Sequence, residues 1–162
     1  MNLKDTKLFI FDADGTLRRS TVPNQPNPHE DDEWELLPNV KEKLQKIISQ
    51  TKDGVIAIAS NQGGIELGYL SRRQARKLLD ALYRELTGKR APKGMIQLCP
   101  DFEKPSQCRK PRPGMLQKIM NQAGVSPKQT LFVGNSDDDR ETARNAGVRF
   151  MWAKNFFGWK RK

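Results

Sequence analysis

Asp12 and Asp14 stand two residues apart, directly after the apolar run Lys7-Leu-Phe-Ile-Phe11 and directly before Gly15. Ser60 and Asn61 follow a second apolar run, Val55-Ile-Ala-Ile-Ala59. Asn135, with Asp137, Asp138 and Asp139 close behind it, follows another, Thr130-Leu-Phe-Val133. Lys110 lies in a polar stretch between these last two. Carboxylates, a hydroxyl and an ammonium gathered in one place suit a hard metal ion held beside a phosphate. Magnesium prefers carboxylate, carbonyl and water oxygens in octahedral geometry. A lysine and a serine hydroxyl can hold phosphoryl oxygens, where charge stabilisation does most of the catalytic work. Taken alone, Asp12-Ala-Asp-Gly15 reads equally well as a turn with capping acids. What decides between the two is whether the fold brings the other groups to it.

The elements predict that it does. The runs at 7–11, 55–59, 95–99, 130–133 and 150–153 read as buried strands. Between them, Val40, Leu44, Ile47 and Ile48 recur at helical spacing, and that helix is expected to stop near Gly54 in a left-handed conformation. Ser71 and Gln74 read as a capping box opening a second helix, with Ala75, Leu78, Leu79, Leu82, Tyr83 and Leu86 on one stripe and Gly88 as its stop. A third helix is expected from Pro113 to near Gly124, and a short fourth over 138–145 with Gly147 beyond it. Residues 20–33 hold three prolines and no period, and read as a loop. Strands alternating with helices mean βαβ units, so the expectation is a three-layer, Rossmann-like α/β fold with a mostly parallel sheet. Ligands of such sheets bind beyond the carboxyl ends of the strands, which is the edge where the polar residues above must meet.

Length and composition narrow the class. A chain of 162 residues is expected to form one domain over 1–162. Twelve glycines and ten prolines are too few for a low-complexity chain. No apolar run reaches the eighteen or so residues of a membrane span, and the N-terminus turns polar too early for a secretory signal. Two cysteines, Cys99 and Cys108, cannot make a disulfide framework. The expectation is a cytoplasmic, monomeric globular protein that meets no membrane. Its net charge is +10, concentrated in residues 72–118, where thirteen Lys/Arg stand against four acids. Such a field favours anionic substrates or polyanions, although a solvated basic surface is the plainer reading.

Phe11-Asp-Ala-Asp-Gly-Thr-Leu17 resembles the first signature of the haloacid dehalogenase superfamily of phosphotransferases. Ser60-Asn61 resembles its second motif, Arg109-Lys-Pro-Arg-Pro-Gly114 its third, and Val133-Gly-Asn-Ser-Asp-Asp-Asp139 approaches its fourth. Asn61-Gln-Gly-Gly-Ile65, Gly68 and Cys108-Arg-Lys-Pro111 further resemble the subgroup of heptose bisphosphate, histidinol phosphate and polynucleotide 3'-phosphatases, which lack a large cap domain. The resemblance implies Asp12 as nucleophile and Asp14 as acid and base. It implies Ser60 and Lys110 as the remaining catalytic groups, and Asn61, Arg109 and Lys110 in substrate binding. The metal would be Mg2+, held by Asp12, Asp14, Asn135 and Asp139.

Two positions depart from that pattern. Asn135 stands where the family's metal-binding acid normally is, so its amide oxygen offers a ligand without charge, and Asp137 or Asp138 is placed to compensate. Heptose bisphosphate phosphatases of this branch often fold a loop around zinc with Cys-x-His and Cys-x-Cys. Here Cys99-Pro-Asp101 and Ser106-Gln-Cys108 retain two thiolates. A structural zinc site normally wants four Cys/His ligands, so zinc is not expected.

His29 is the only histidine and sits among prolines and acids, so it reads as a surface loop residue rather than a catalytic base. Trp152, Phe156, Phe157 and Trp159 read as packing of the last strand and tail, and Lys160–Lys162 as a solvated end. Three functions follow, in order. The first is a magnesium-dependent phosphomonoesterase working through an aspartyl phosphate on a small phosphorylated metabolite. The second is a polynucleotide 3'-phosphatase, supported by the basic region and by Arg18-Arg19. The third is a binding protein on a weakened phosphatase scaffold.

Overall fold

A computed structural model describes residues 3–160. Five strands, β1 (Leu8–Phe11), β4 (Val55–Asn61), β5 (Ile96–Cys99), β6 (Thr130–Gly134) and β7 (Arg149–Trp152), form one sheet in the order β5-β4-β1-β6-β7, with every neighbouring pair parallel. Side chains of a strand alternate between its faces. Accordingly Phe9 and Phe11 of β1 join one buried cluster while Leu8 and Ile10 join the other. The first cluster is closed by α1 (Val40–Gln50), α2 (Arg72–Thr87) and the single turn α5 (Ala153–Phe156). The second is closed by α3 (Gly114–Ala123) and α4 (Asp137–Ala146). These are the three layers expected, and no cap domain stands over the sheet among the described residues.

Several local expectations change. The 20–33 segment is flanked by strands, β2 (Arg18–Ser20) and β3 (Trp34–Leu36), paired antiparallel outside the main sheet. Three residues each is too short for a hydrophobic period to reveal. Helix α1 ends at Thr51 in extended backbone, not at Gly54. Gly54 is not left-handed; it is small because Thr51 Oγ1 packs where its Cβ would be. Gly88 and Gly147 are left-handed helix ends as expected.

The capping box expected at Ser71 forms by half. Ser71 accepts from the Gln74 amide, but the Gln74 side chain instead donates to the His29 carbonyl and to Asp31. A complete box is found at α4, between Ser136 and Asp139. Cys99 and Cys108, too few for a disulfide framework, are joined to each other. The C-terminal aromatics pack as expected: Phe156 and Phe157 are buried, and Trp159 stacks on Phe157 while donating to the Pro38 carbonyl. Of the basic end, Lys160 is exposed, and Arg161 and Lys162 lie outside the described residues. No helix is long and apolar enough to cross a membrane among the described residues.

Candidate active site

β1 is the central strand, with β4 on one side and β6 on the other, so the chain leaves β1 in one direction and returns on the opposite flank. Such a switch point opens a crevice at the carboxyl ends of the strands. Phe11 is in register with Ile58 and with Val133, which brings Asp12, Ser60 and Asn135 to one level. A cavity of about 220 Å³ opens there, lined by Asp12, Asp14, Asn27, Ser60, Asn61, Lys110, Asn135, Ser136, Asp138 and Asp139. Of the predicted site residues, only Arg109 lies outside this lining; it faces a larger cleft of about 680 Å³ next door.

Lys110 organises the floor. Its ammonium donates to Asp12 Oδ1 at 2.6 Å, to Asp139 Oδ1 at 2.7 Å and to the Ala59 carbonyl at 3.2 Å, so each of its three protons has a partner. Burial works against that ammonium, yet Asp12 and Asp139 outweigh it and hold its pKa above the ordinary lysine value. Burial also pushes the Asp12 carboxyl up to about 6; Lys110 pulls it back, while Asp139 and Asp14 add to the rise. Asp139 Oδ2 accepts from the amides of Asn135 and Ser136, so both of its oxygens are occupied by protein donors. It pins Lys110 and the loop after β6 while lining the same cavity.

Asp14 is held from behind. Arg18, whose side chain is fully buried, donates Nε to Asp14 Oδ1 at 2.7 Å and Nη2 to Oδ2 at 3.4 Å, with Nη1 on the Leu78 carbonyl. This removes one support for nucleic-acid binding, because Arg18 cannot reach a strand and Arg19 is paired with Glu35 at 2.6 Å. Gln62 donates to Asp14 Oδ2 at 3.0 Å and to Ser60 Oγ at 2.7 Å, leaving the serine proton free to point into the cavity. Asn61 spans the edge, accepting from the Lys110 amide and donating to its carbonyl.

The donor set suits a hard divalent cation. The Thr16 hydroxyl lies 3.0 Å from Asp12 Oδ2 and 3.2 Å from Asn135 Oδ1, so a carboxylate oxygen and an amide oxygen converge on one point. Gly15 is left-handed, and Asn135 Nδ2 would lie 2.3 Å from a Cβ there, so the Asn135 amide can fold over the turn only because position 15 has no side chain. Asp138 lines the same cavity, whereas Asp137 is exposed and paired with Arg140. The zinc position behaves differently: Cys99, Asp101 and Cys108 cluster with Ser106, but the two sulfurs are bonded to each other and no set of four Cys/His ligands exists.

Sequence reasoning missed Gln62, Arg18 and Thr16 as parts of this site. Each sits inside a motif already singled out, at positions 11–17 and 61–65 or one step beyond. Only the fold shows which atoms they touch.

A family model described as polynucleotide kinase 3 phosphatase matches residues 7–157. The chain belongs to that family. This polynucleotide kinase 3 phosphatase family member is a phosphatase, as its relatives are. It is 34% identical over 139 residues to the D-glycero-beta-D-manno-heptose-1,7-bisphosphate 7-phosphatase of Pseudomonas aeruginosa, across 85% of this chain and 75% of that one. It is 27% identical over 154 residues to the corresponding enzyme of Haemophilus ducreyi, across 88% and 80%. Its fold matches that of the D,D-heptose 1.7-bisphosphate phosphatase of B. bronchiseptica complexed with magnesium and phosphate, with a TM-score of 0.76 at 27% identity over 90% of this chain and 79% of that one.

Proposed function

We propose that the protein hydrolyses the phosphomonoester of a small phosphorylated sugar, with magnesium, through an aspartyl phosphate on Asp12. The observation that carries this reading is the convergence of Asp12, Asp14, Ser60 and Lys110 on one small cavity at the switch point of the sheet. The relatives named as heptose bisphosphate phosphatases and the magnesium–phosphate complex of one of them support the substrate class and the metal.

Asp12, the Asp14 main chain and Asn135 would hold the ion, with Asp138 near enough to add charge through water. Magnesium, when bound, offsets negative charge on the phosphoryl oxygens and on Asp12. In the first half-reaction an Asp12 oxygen forms a bond to phosphorus as the bond from phosphorus to the leaving oxygen breaks. Asp14 gives its proton to that oxygen. In the second, Asp14 takes a proton from water, the water oxygen bonds to phosphorus, and the bond to Asp12 breaks to release inorganic phosphate. Lys110 keeps Asp12 oriented, and Ser60 donates to a phosphoryl oxygen. Arg109 at the neighbouring cleft would contact the rest of the substrate.

Phosphate release from a panel of sugar phosphates, sugar bisphosphates and histidinol phosphate, with and without magnesium, tests this. Magnesium-dependent turnover by the wild type and none by Asp12→Asn is the expected result. Turnover that survives in Asp12→Asn would overturn it.

The second reading is a polynucleotide 3'-phosphatase. The family description favours it. Activity on a 3'-phosphorylated oligonucleotide would then fall steeply with salt, with a log–log slope of roughly −0.7 for each phosphate neutralised.

A further inference from the structure

The larger cleft next to the phosphoryl cavity shares Asn27 and Asn61 with it, so a substrate whose phosphate sits in the smaller space extends its leaving group into the larger. The make-up of that cleft is unusual for this surface. Four large apolar side chains are exposed among the described residues, Ile48, Leu67, Tyr69 and Phe102, and the last three line this one cleft. Single exposed apolar groups need no explanation, but three gathered around a concavity mark a place that a ligand covers.

Both aromatic side chains stand beside the two glycines, Gly63 and Gly64, that line the same cleft. A Cβ on Gly63 would lie 2.9 Å from Cδ2 of Phe102 and 3.3 Å from Nη1 of Arg109, while one on Gly64 would lie 3.6 Å from Cδ2 of Tyr69. One aromatic thus rises beside each of two consecutive glycines. Each ring is braced. His29 stacks on Tyr69 with centroids 5.6 Å apart and planes 21° from parallel. Arg109 lies over Phe102 at 5.1 Å and is fixed by donating Nη1 to the Asp101 carbonyl at 2.8 Å. Tyr69 and Phe102 nonetheless remain 63% and 45% exposed as residues. Arg109 is the only Lys or Arg in the lining, and part of its donor capacity is spent on Asp101. A leaving group that carries a flat ring fits such walls better than one that carries only hydroxyls and further phosphates.

We infer that the substrate is a phosphorylated sugar bearing a planar unsaturated ring, a mononucleotide in chemical class, whose ring packs against the cleft wall that Tyr69, Phe102 and Leu67 form. The inference rests on the phosphomonoesterase reading and adds the identity of the leaving group. The basic residues of α2 do not bear on it. None of them lines this cleft, and Arg76 and Lys77 are paired with Asp80 and Asp31.

The test is binding, so that it does not depend on turnover. The Asp12→Asn protein is titrated by calorimetry, in magnesium, with ribose 5-phosphate, adenosine 5'-monophosphate and inorganic phosphate. Adenosine 5'-monophosphate carries adenine where ribose 5-phosphate carries its anomeric hydroxyl. Adenosine 5'-monophosphate is expected to bind at least about tenfold more tightly than ribose 5-phosphate, roughly 1.4 kcal/mol. Tyr69→Ala and Phe102→Ala should each reduce that advantage, read as the ratio of the two constants within the same variant. Gly63→Trp, which places an indole in the cleft beside Phe102, should abolish it. Equal affinities for the two sugars, or an advantage that survives all three substitutions, overturns the inference. In that event binding of inorganic phosphate together with magnesium-dependent turnover by the wild type would leave the phosphatase reading intact. A 3'-phosphorylated oligonucleotide run alongside separates a free nucleotide from a strand end. If it binds more tightly than the mononucleotide, with steep salt dependence, the mononucleotide assignment is wrong.

Discussion

Arg18 lies wholly buried four residues after Asp14 and grips its carboxylate with two nitrogens, at 2.7 and 3.4 Å. The turn Asp14-Gly-Thr-Leu and the short β2 strand bring the pair face to face, and the Leu78 carbonyl of α2 takes a third guanidinium proton. A group proposed to gain and lose a proton is thus fixed in direction by a cation that solvent does not reach. Arg18→Met keeps most of the volume but leaves Asp14 without its partner. Removing one half of a buried pair typically costs about 3–5 kcal/mol. Urea denaturation should show a loss of that order, and the double variant with Asp14→Asn should recover part of it. A loss no larger in Arg18→Met than in a surface Arg19→Met control would show that the pair contributes little.

The Asp12 carboxyl titrates near 6 rather than at its ordinary 3.8, chiefly because it is buried. The folded protein therefore holds this proton more tightly than the unfolded chain does. The stability this confers is fully present below about 3.8 and is lost as pH rises through about 6. With divalent ions chelated, the wild type should lose up to about 3 kcal/mol more than Asp12→Asn between pH 4 and pH 8. The variant should be the more stable at pH 8 while having no turnover. Parallel pH–stability curves for the two proteins would contradict the raised titration.

Asn135 contributes a neutral oxygen where it and Asp12 converge on Thr16. Asn135→Asp adds a charge at the same place. The magnesium concentration for half-maximal activity should fall on the order of tenfold, since affinity for hard cations follows the number of charged ligands. A magnesium titration that does not move would place Asn135 outside the metal's reach.

Gly134 closes β6 directly against Asp139. A Cβ there would lie 2.4 Å from the Asp139 Cβ and 2.6 Å from its carboxylate. Gly134→Ala should push Asp139 off the Asn135 and Ser136 amides and off Lys110. Small displacements of a reacting centre cost on the order of 10²-fold in rate, and kcat should fall accordingly. Unaltered kcat would mean that Asp139 relaxes without moving Lys110.

Much of this was legible in the chain. The apolar runs are nearly continuous because a parallel sheet is buried on both faces, so β1, β4, β5, β6 and β7 announce themselves, and the acids that follow them fall on one edge. The stripe from Ala75 to Leu86 likewise marks α2. What was not legible has a common character. β2 and β3 are three-residue strands with no period to detect. Gln74 looks like the second half of a capping box, yet a carbonyl 45 residues away takes its side chain. Arg18 looks like a surface cation because arginine is seldom fully buried, and only the carboxylate and carbonyl around it make that position tolerable.

Residue type and local spacing thus determine which groups reach the sheet edge, because strand and helix periods are set by the backbone. Which donor meets which acceptor was decided only by the tertiary structure. Lys110 lies 98 residues from Asp12 in the chain, and Phe102 lies 39 residues after Gly63. No local pattern encodes such pairings. They exist because packing of the helices on both faces of the sheet leaves each side chain one place where its charge or its surface is matched.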